Sequence, residues 1–229
     1  MNLAVLLLLA IGAALPLTAV SAQRGQPEPV PAPDPFPPVG GGDHATKDVT
    51  SAGERSLYDM ASCMAKRHPA NVAALLSSDP ASVDSERQIV RLFYHYSQCG
   101  NRTFVRFSVK RDVMRGILAE QLYLRAYPAP PAQLGTTNAP LAPSSGDPIT
   151  VRYAVGACAA ARDPGDADAV VRAARRSPEE SDASRRLAAT LNACASGHVD
   201  FSGAQLHGVL AEALFKMHRA AAQESSHHA

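Results

Sequence analysis

Cys63 and Cys99 stand 36 residues apart, and Cys158 and Cys194 repeat that separation 95 residues further on, with related sequence around both pairs. A chain that carries one cysteine spacing twice is read as a tandem duplication, in which each half solves the same folding problem. In an exported chain, cysteines recurring at equal spacing form a disulfide framework. Four thiols allow three connectivities. Pairing within each copy, Cys63 with Cys99 and Cys158 with Cys194, is the expectation, with cross-repeat pairing left open by the sequence. Through loop entropy each such bond stabilises its repeat by about 4 kcal/mol, which matters because units of this size bury limited apolar area.

The export signal is read at the N-terminus. Leu3 to Leu15 is a continuous apolar run, Pro16 breaks it, and Val20-Ser21-Ala22 offers small residues to a signal peptidase, so residues 1–22 read as a cleaved signal peptide. The run falls short of the roughly 20 apolar residues that cross a bilayer, and no transmembrane span is expected after cleavage. No Lys or Arg precedes the run and no Cys follows the cleavage site for lipid attachment. The expected destination is periplasmic or secreted, where thiols oxidise.

Residues 23–52 carry Pro at 27, 29, 31, 33, 35, 37 and 38 and then Gly40-Gly41-Gly42. Alternating proline removes backbone donors and biases each preceding residue away from the helical region, so this stretch reads as a disordered Pro/Gly-rich spacer. A second Pro-rich linker, residues 128–148, separates helical repeat 1 (53–127) from helical repeat 2 (149–222), and residues 223–229 read as a disordered tail.

The two repeats overlay. Arg115 to Leu124 (RGILAEQLYL) matches His207 to Lys216 (HGVLAEALFK), with Gly116, Leu118, Ala119, Glu120 and Leu122 identical to Gly208, Leu210, Ala211, Glu212 and Leu214. The displacement falls from 95 residues at the cysteines to 92 here, which places a short deletion between Cys194 and Gly208, in a loop. Met114, Ile117, Leu118 and Leu122 follow helical spacing, as do Leu206, Val209, Leu210 and Leu214. Leu57, Met60, Ala61 and Met64 surround Cys63, and Ile89, Leu92, Phe93 and Tyr96 lead to Cys99, which the spacing places at the end of its helix. Short helices are expected over Pro69–Leu76 and Gly165–Arg175, and Ser177 before Pro178, Glu179 and Glu180 marks a capped start. The expected fold is all-α: two tandem four-helix repeats, each with one disulfide, joined by a Pro-rich linker.

Candidate site residues are few. No phosphate loop, nucleophile elbow, cofactor fingerprint or paired metal-His motif occurs in the mature chain, so no catalytic residue, cofactor or metal is assigned. The cysteines lack a close C-x-x-C pair. The histidines are scattered, and His207 and His218 lie about 16 Å apart along one helix, so they read as surface or boundary residues. Glu120 and Glu212 invite a catalytic reading, but an acid kept at the same place in both copies points to a shared structural need, met by a nearby base such as Arg115 or by water. Glycine inside a helix costs about 1 kcal/mol relative to alanine, so Gly116 and Gly208 point to the close approach of a neighbouring helix. Arg102, Arg106, Lys110, Arg111 and Arg115 cluster around the start of the fourth helix and are the candidate contact for an anionic surface. With a formal net charge of +1, no nucleic acid partner is expected.

The signal peptide, Pro-rich spacer, paired cysteines and closing Leu-Ala-Glu-Ala-Leu-Phe helix at 210–215 resemble those of secreted tandem-repeat proteins of unknown function from sphingomonad-like alphaproteobacteria. The resemblance covers both repeats and brings no activity with it. The function expected from the sequence is therefore that of an exported, non-enzymatic helical module whose partner is an envelope protein or an anionic envelope surface. The alternative is a hydrolase-like periplasmic enzyme, which needs polar side chains converging between the repeats.

Overall fold

The structure, a computed structural model, describes residues 51–95, 97–99, 110–130, 136, 139–143 and 145–227. The signal peptide, nearly all of the first spacer, Arg102 and Arg106 lie outside the described residues. The described residues are all-helical. Repeat 1 contains α1 (Ser51–Arg67), α2 (Pro69–Ser77), α3 (Val83–His95) and α4 (Arg111–Ala126). Repeat 2 contains α5 (Pro148–Arg162), α6 (Pro164–Arg172), α7 (Pro178–Cys194) and α8 (Gly203–His227). Several boundaries differ from expectation, α6 among them, which ends at Arg172 and leaves Arg175 in the following loop. The first helix begins at Ser51, inside the stretch read as spacer, and α8 runs on to His227 through most of the stretch read as a tail.

Local chemistry explains the helix starts. Proline occupies the first turn of α2, α5, α6 and α7, where its missing N–H has no intrahelical partner to lose. Asp147 caps α5 by accepting from the backbone N–H groups of Ile149 and Thr150, Asp163 caps α6 through Asp166, and Ser177 caps α7 through Glu180. Ser82 makes the matching bond in the other copy, its Oγ accepting from the N–H of Ser85.

Both expected disulfides are present. Cys63 bonds Cys99 and Cys158 bonds Cys194, with Cα separations of 5.6 and 5.8 Å. Cys194 ends α7, but Cys99 sits in a separate 3-10 turn, Ser97–Cys99, beyond the end of α3. The surroundings differ too: Cys158 and Cys194 are buried, whereas Cys63 and Cys99 are half-buried.

The repeats dock, and the described residues belong to one compact unit. The central contact is between α4 and α8, the equivalent helices of the two copies. Each has two buried faces. Met114, Ile117, Leu118 and Leu122 form the stripe found by periodicity, while Asp112, Gly116, Ala119, Glu120 and Tyr123 fall on the opposite side and are buried as well. Gly116 and Gly208 lie at the crossing point. A Cβ built on Gly116 would stand 2.9 Å from the Cα of Gly208, and one built on Gly208 would come closer still to Gly116. Each outer helix then packs on its own repeat's central helix, α1 on α4 and α5 on α8.

The Pro-rich connector is tied to repeat 2 at several points. Arg172 donates to the carbonyls of Tyr127 and Ala129. The N–H of Ala142 donates to the Cys194 carbonyl, and Ser196 Oγ donates to the carbonyl of Ala142, itself 3% exposed.

Candidate functional site

Charged residues that are scarce on the sequence's apolar stripes converge where α4 crosses α8. On one side of the Gly116–Gly208 crossing, Arg115 makes a two-point ion pair with Glu212: Nε donates to Oε2 and Nη2 to Oε1, both at 2.8 Å. The side chains of this pair are 0% and 2% exposed. Arg115 also donates to Ser85 Oγ at 2.8 Å and to the carbonyls of Leu76 and Ser78 at 3.1 and 2.8 Å, so the end of α2 is tied to the centre of the molecule. The Tyr153 ring faces its guanidinium at 5.7 Å, and Lys216 Nζ donates to Glu212 from the solvent side at 2.7 Å.

The other side of the crossing carries the same positions with the copies exchanged. His207 replaces Arg115 and Glu120 replaces Glu212. The imidazole is fully buried, with Nε2 2.9 Å from Glu180 Oε1 and Nδ1 3.8 Å from Glu120 Oε2, and neither ring nitrogen is aligned for a hydrogen bond. Glu120 Oε2 accepts from Arg175 Nη2 at 2.9 Å and from the Tyr58 hydroxyl at 3.3 Å, and the Arg175 guanidinium lies 5.2 Å from the centre of the Tyr58 ring. Glu180 also accepts from the backbone N–H of Arg176, a residue in the left-handed region at φ 62°.

The electrostatics follow from this packing. Burial pushes the Glu120 carboxyl up, but its contact with His207 and the charge of Arg175 outweigh burial and hold it below the usual range. The Tyr58 hydroxyl is raised first by burial and then by the Glu120 charge. A second polar group lies further along α4, where the Tyr123 hydroxyl donates to Asp168 at 2.6 Å and Asp168 is gripped by Arg172 through both oxygens. Burial and the Asp168 bond raise Tyr123. His218 packs against the ring pair of Tyr123 and Tyr127, 6.0 and 4.4 Å from their centres, and burial lowers its pKa.

Several sequence expectations change. Arg115 is removed from the basic surface cluster, because it is enclosed and holds Glu212 of the other repeat. Arg111 pairs with Glu86 at 2.8 Å on the surface, and Lys110 is exposed. His207 is a buried interface residue and His218 is largely buried, rather than surface groups. Glu120 and Glu212 do pair with bases, in each case with an arginine of the opposite repeat, and Glu212 also with Lys216 of its own. Glu180 is legible only as a first-turn acid of α7 and Arg175 only as part of a short helix, and nothing in the sequence joins them or Tyr58 to this cluster. Among the described residues no group of three or more His, Cys, Asp or Glu is arranged to hold a metal ion, and no helix is long and apolar enough to cross a membrane.

Compared with family models, curated proteins and solved structures, the chain finds no match.

Proposed function

We propose that this chain is an exported, non-enzymatic helical protein that serves as an interaction or structural module of the cell envelope, of sphingomonad-like alphaproteobacterial type. The observation that carries the reading is the enclosed Arg115–Glu212 pair, whose two charges are spent on joining the repeats instead of lining a cleft between them. A doubly bridged, internally locked body suits an oxidising compartment, where disulfides persist. Lys110 and Arg111 remain as surface cations of the basic cluster, and with Arg102 and Arg106 they are the proposed contact for an anionic envelope partner. The test is to isolate the processed chain from its host's envelope under gentle crosslinking, with N-terminal sequencing. Cleavage after Ala22 and one reproducible crosslinked partner are the expected results. A cytoplasmic, unprocessed chain defeats the export reading, and an exported chain with no stable partner defeats the interaction reading.

One observation favours a second reading, a hydrolase-like enzyme with its site between the repeats. His207 is held between two carboxylates without an aligned hydrogen bond, and the side chains of Arg175 and Glu180 beside it keep 17% and 15% of their surface exposed. An activity found on a hydrolase panel and lost in H207A with the fold intact would establish it.

A further inference from the structure

An open groove of about 270 Å³ runs between α2 and the second half of α8. Its apolar walls come from Ala73, Leu76, Phe215 and Ala220, and its charged wall residues are Lys216 and Arg219. The two remaining wall residues, Ser77 and Gln223, are uncharged, so the lining carries two cations and no acid. Leu76 and Phe215, 1% and 6% exposed, are core residues that form the floor.

The positive charge here is a surplus. Lys216 touches Glu212, but Arg115 already neutralises that carboxylate inside the molecule, so the three groups together carry one excess positive charge. Arg219 packs over the Phe215 ring at 5.8 Å from its centre, and among the described residues it has no carboxylate partner. Lys216 and Arg219 are three residues apart, hence neighbours on one side of the helix. Beyond them, residues 219–224 of α8 are exposed.

We propose that this groove binds an amphiphile with a single anionic head on an aliphatic chain, the head between Lys216 and Arg219 and the first methylenes on Leu76 and Phe215. A neutral amphiphile forgoes the two cations and a small anion forgoes the apolar floor, so both halves of the ligand are required. At about 270 Å³ the groove is smaller than pockets that enclose a drug-sized ligand, so part of the chain stays outside. The head and tail are therefore supplied equally well by a free fatty acid or by an anionic lipid in a membrane. This inference does not depend on the export reading.

The experiment titrates the disulfide-intact protein with dodecanoate below its micelle concentration, with acetate and monomeric dodecyl maltoside as controls, and follows cosedimentation with phosphatidylglycerol vesicles. One dodecanoate per chain is expected, with neither control competing. R219Q and K216Q should each weaken binding about fivefold. A220W fills the groove at an exposed position without altering charge and should abolish binding. Vesicle cosedimentation that A220W also abolishes identifies membrane lipid as a source, and dodecanoate binding without cosedimentation identifies the free acid. Dodecanoate binding unchanged in both R219Q and A220W, maltoside binding as tight as dodecanoate, or no binding of either anionic probe would overturn the proposal.

Discussion

Gly116 of the first repeat and Gly208 of the second meet backbone to backbone, with no room for a Cβ on either. The atoms a methyl group would strike are main-chain atoms of the facing helix, so relief requires α4 and α8 to move apart. G116A and G208A should therefore each destabilise the protein by about 1–3 kcal/mol, despite the helix-propensity gain of about 1 kcal/mol that alanine brings. Urea unfolding monitored by circular dichroism measures it. A variant as stable as the parent would contradict the close crossing.

Removing Arg115 leaves Glu212 enclosed with only Lys216 beside it and strips the donor from the carbonyls of Leu76 and Ser78 at the end of α2. R115M should lose about 3–5 kcal/mol, and R115M/E212L should recover part of that loss, because a buried pair deleted from both sides leaves no isolated charge. A loss below about 0.5 kcal/mol, the size of an ordinary surface substitution, would show that the pair is open to water.

His218 and Glu120 both contribute to the acid limb of stability. His218 has its pKa lowered in the folded chain, so the unfolded chain binds the proton more readily, and stability is full above the ordinary value of 6.5 and falls as pH drops through and below it. Glu120 is also lowered, so its contribution is present above the ordinary value of 4.5 and is lost as pH falls further. Chemical denaturation between pH 8 and pH 3 should show both declines. H218F, which keeps the ring packing, should flatten the upper one and E120Q should weaken the lower one. A stability unchanged between pH 8 and pH 5 would rule out the buried environment of His218.

The two disulfides should not reduce together. Access governs thiol attack, and Cys63–Cys99 is half-buried while Cys158–Cys194 is enclosed. Stepwise dithiothreitol treatment with alkylation and peptide mapping should label Cys63 and Cys99 first. Labelling of Cys158 and Cys194 at the same or lower reductant would contradict the difference in burial.

Much of the fold was legible because it rests on local signals. Ser177 before Pro178 announced the start of α7, the apolar stripes of α4 and α8 announced their cores, and the repeated cysteine separation announced both bridges. The internal glycines correctly called for a close neighbour. A single apolar stripe does not name that neighbour. Gly116, Ala119 and Glu120 lie on the opposite face and recur as Gly208, Ala211 and Glu212, and a small-small-acid stripe kept in both copies was the available sign of a second buried surface. The Arg115 misplacement has the same origin. Counted along the sequence it belongs to a run of bases around the start of α4, but the helix turns it inward, away from Lys110 and Arg111. The Tyr58–Glu120–Arg175–His207–Glu180 group draws on four helices and the loop between α6 and α7, and no spacing along the chain encodes it.

The crossing of α4 and α8 has the reciprocity of an isologous interface: position 115 reaches position 212, and position 207 reaches back toward position 120. One polypeptide thus encloses what would otherwise be a homodimer, with the linker holding the partner at fixed stoichiometry. Because the halves are no longer forced to be identical, one side could retain arginine and the other histidine, an asymmetry that a self-associating subunit could never acquire by a single substitution.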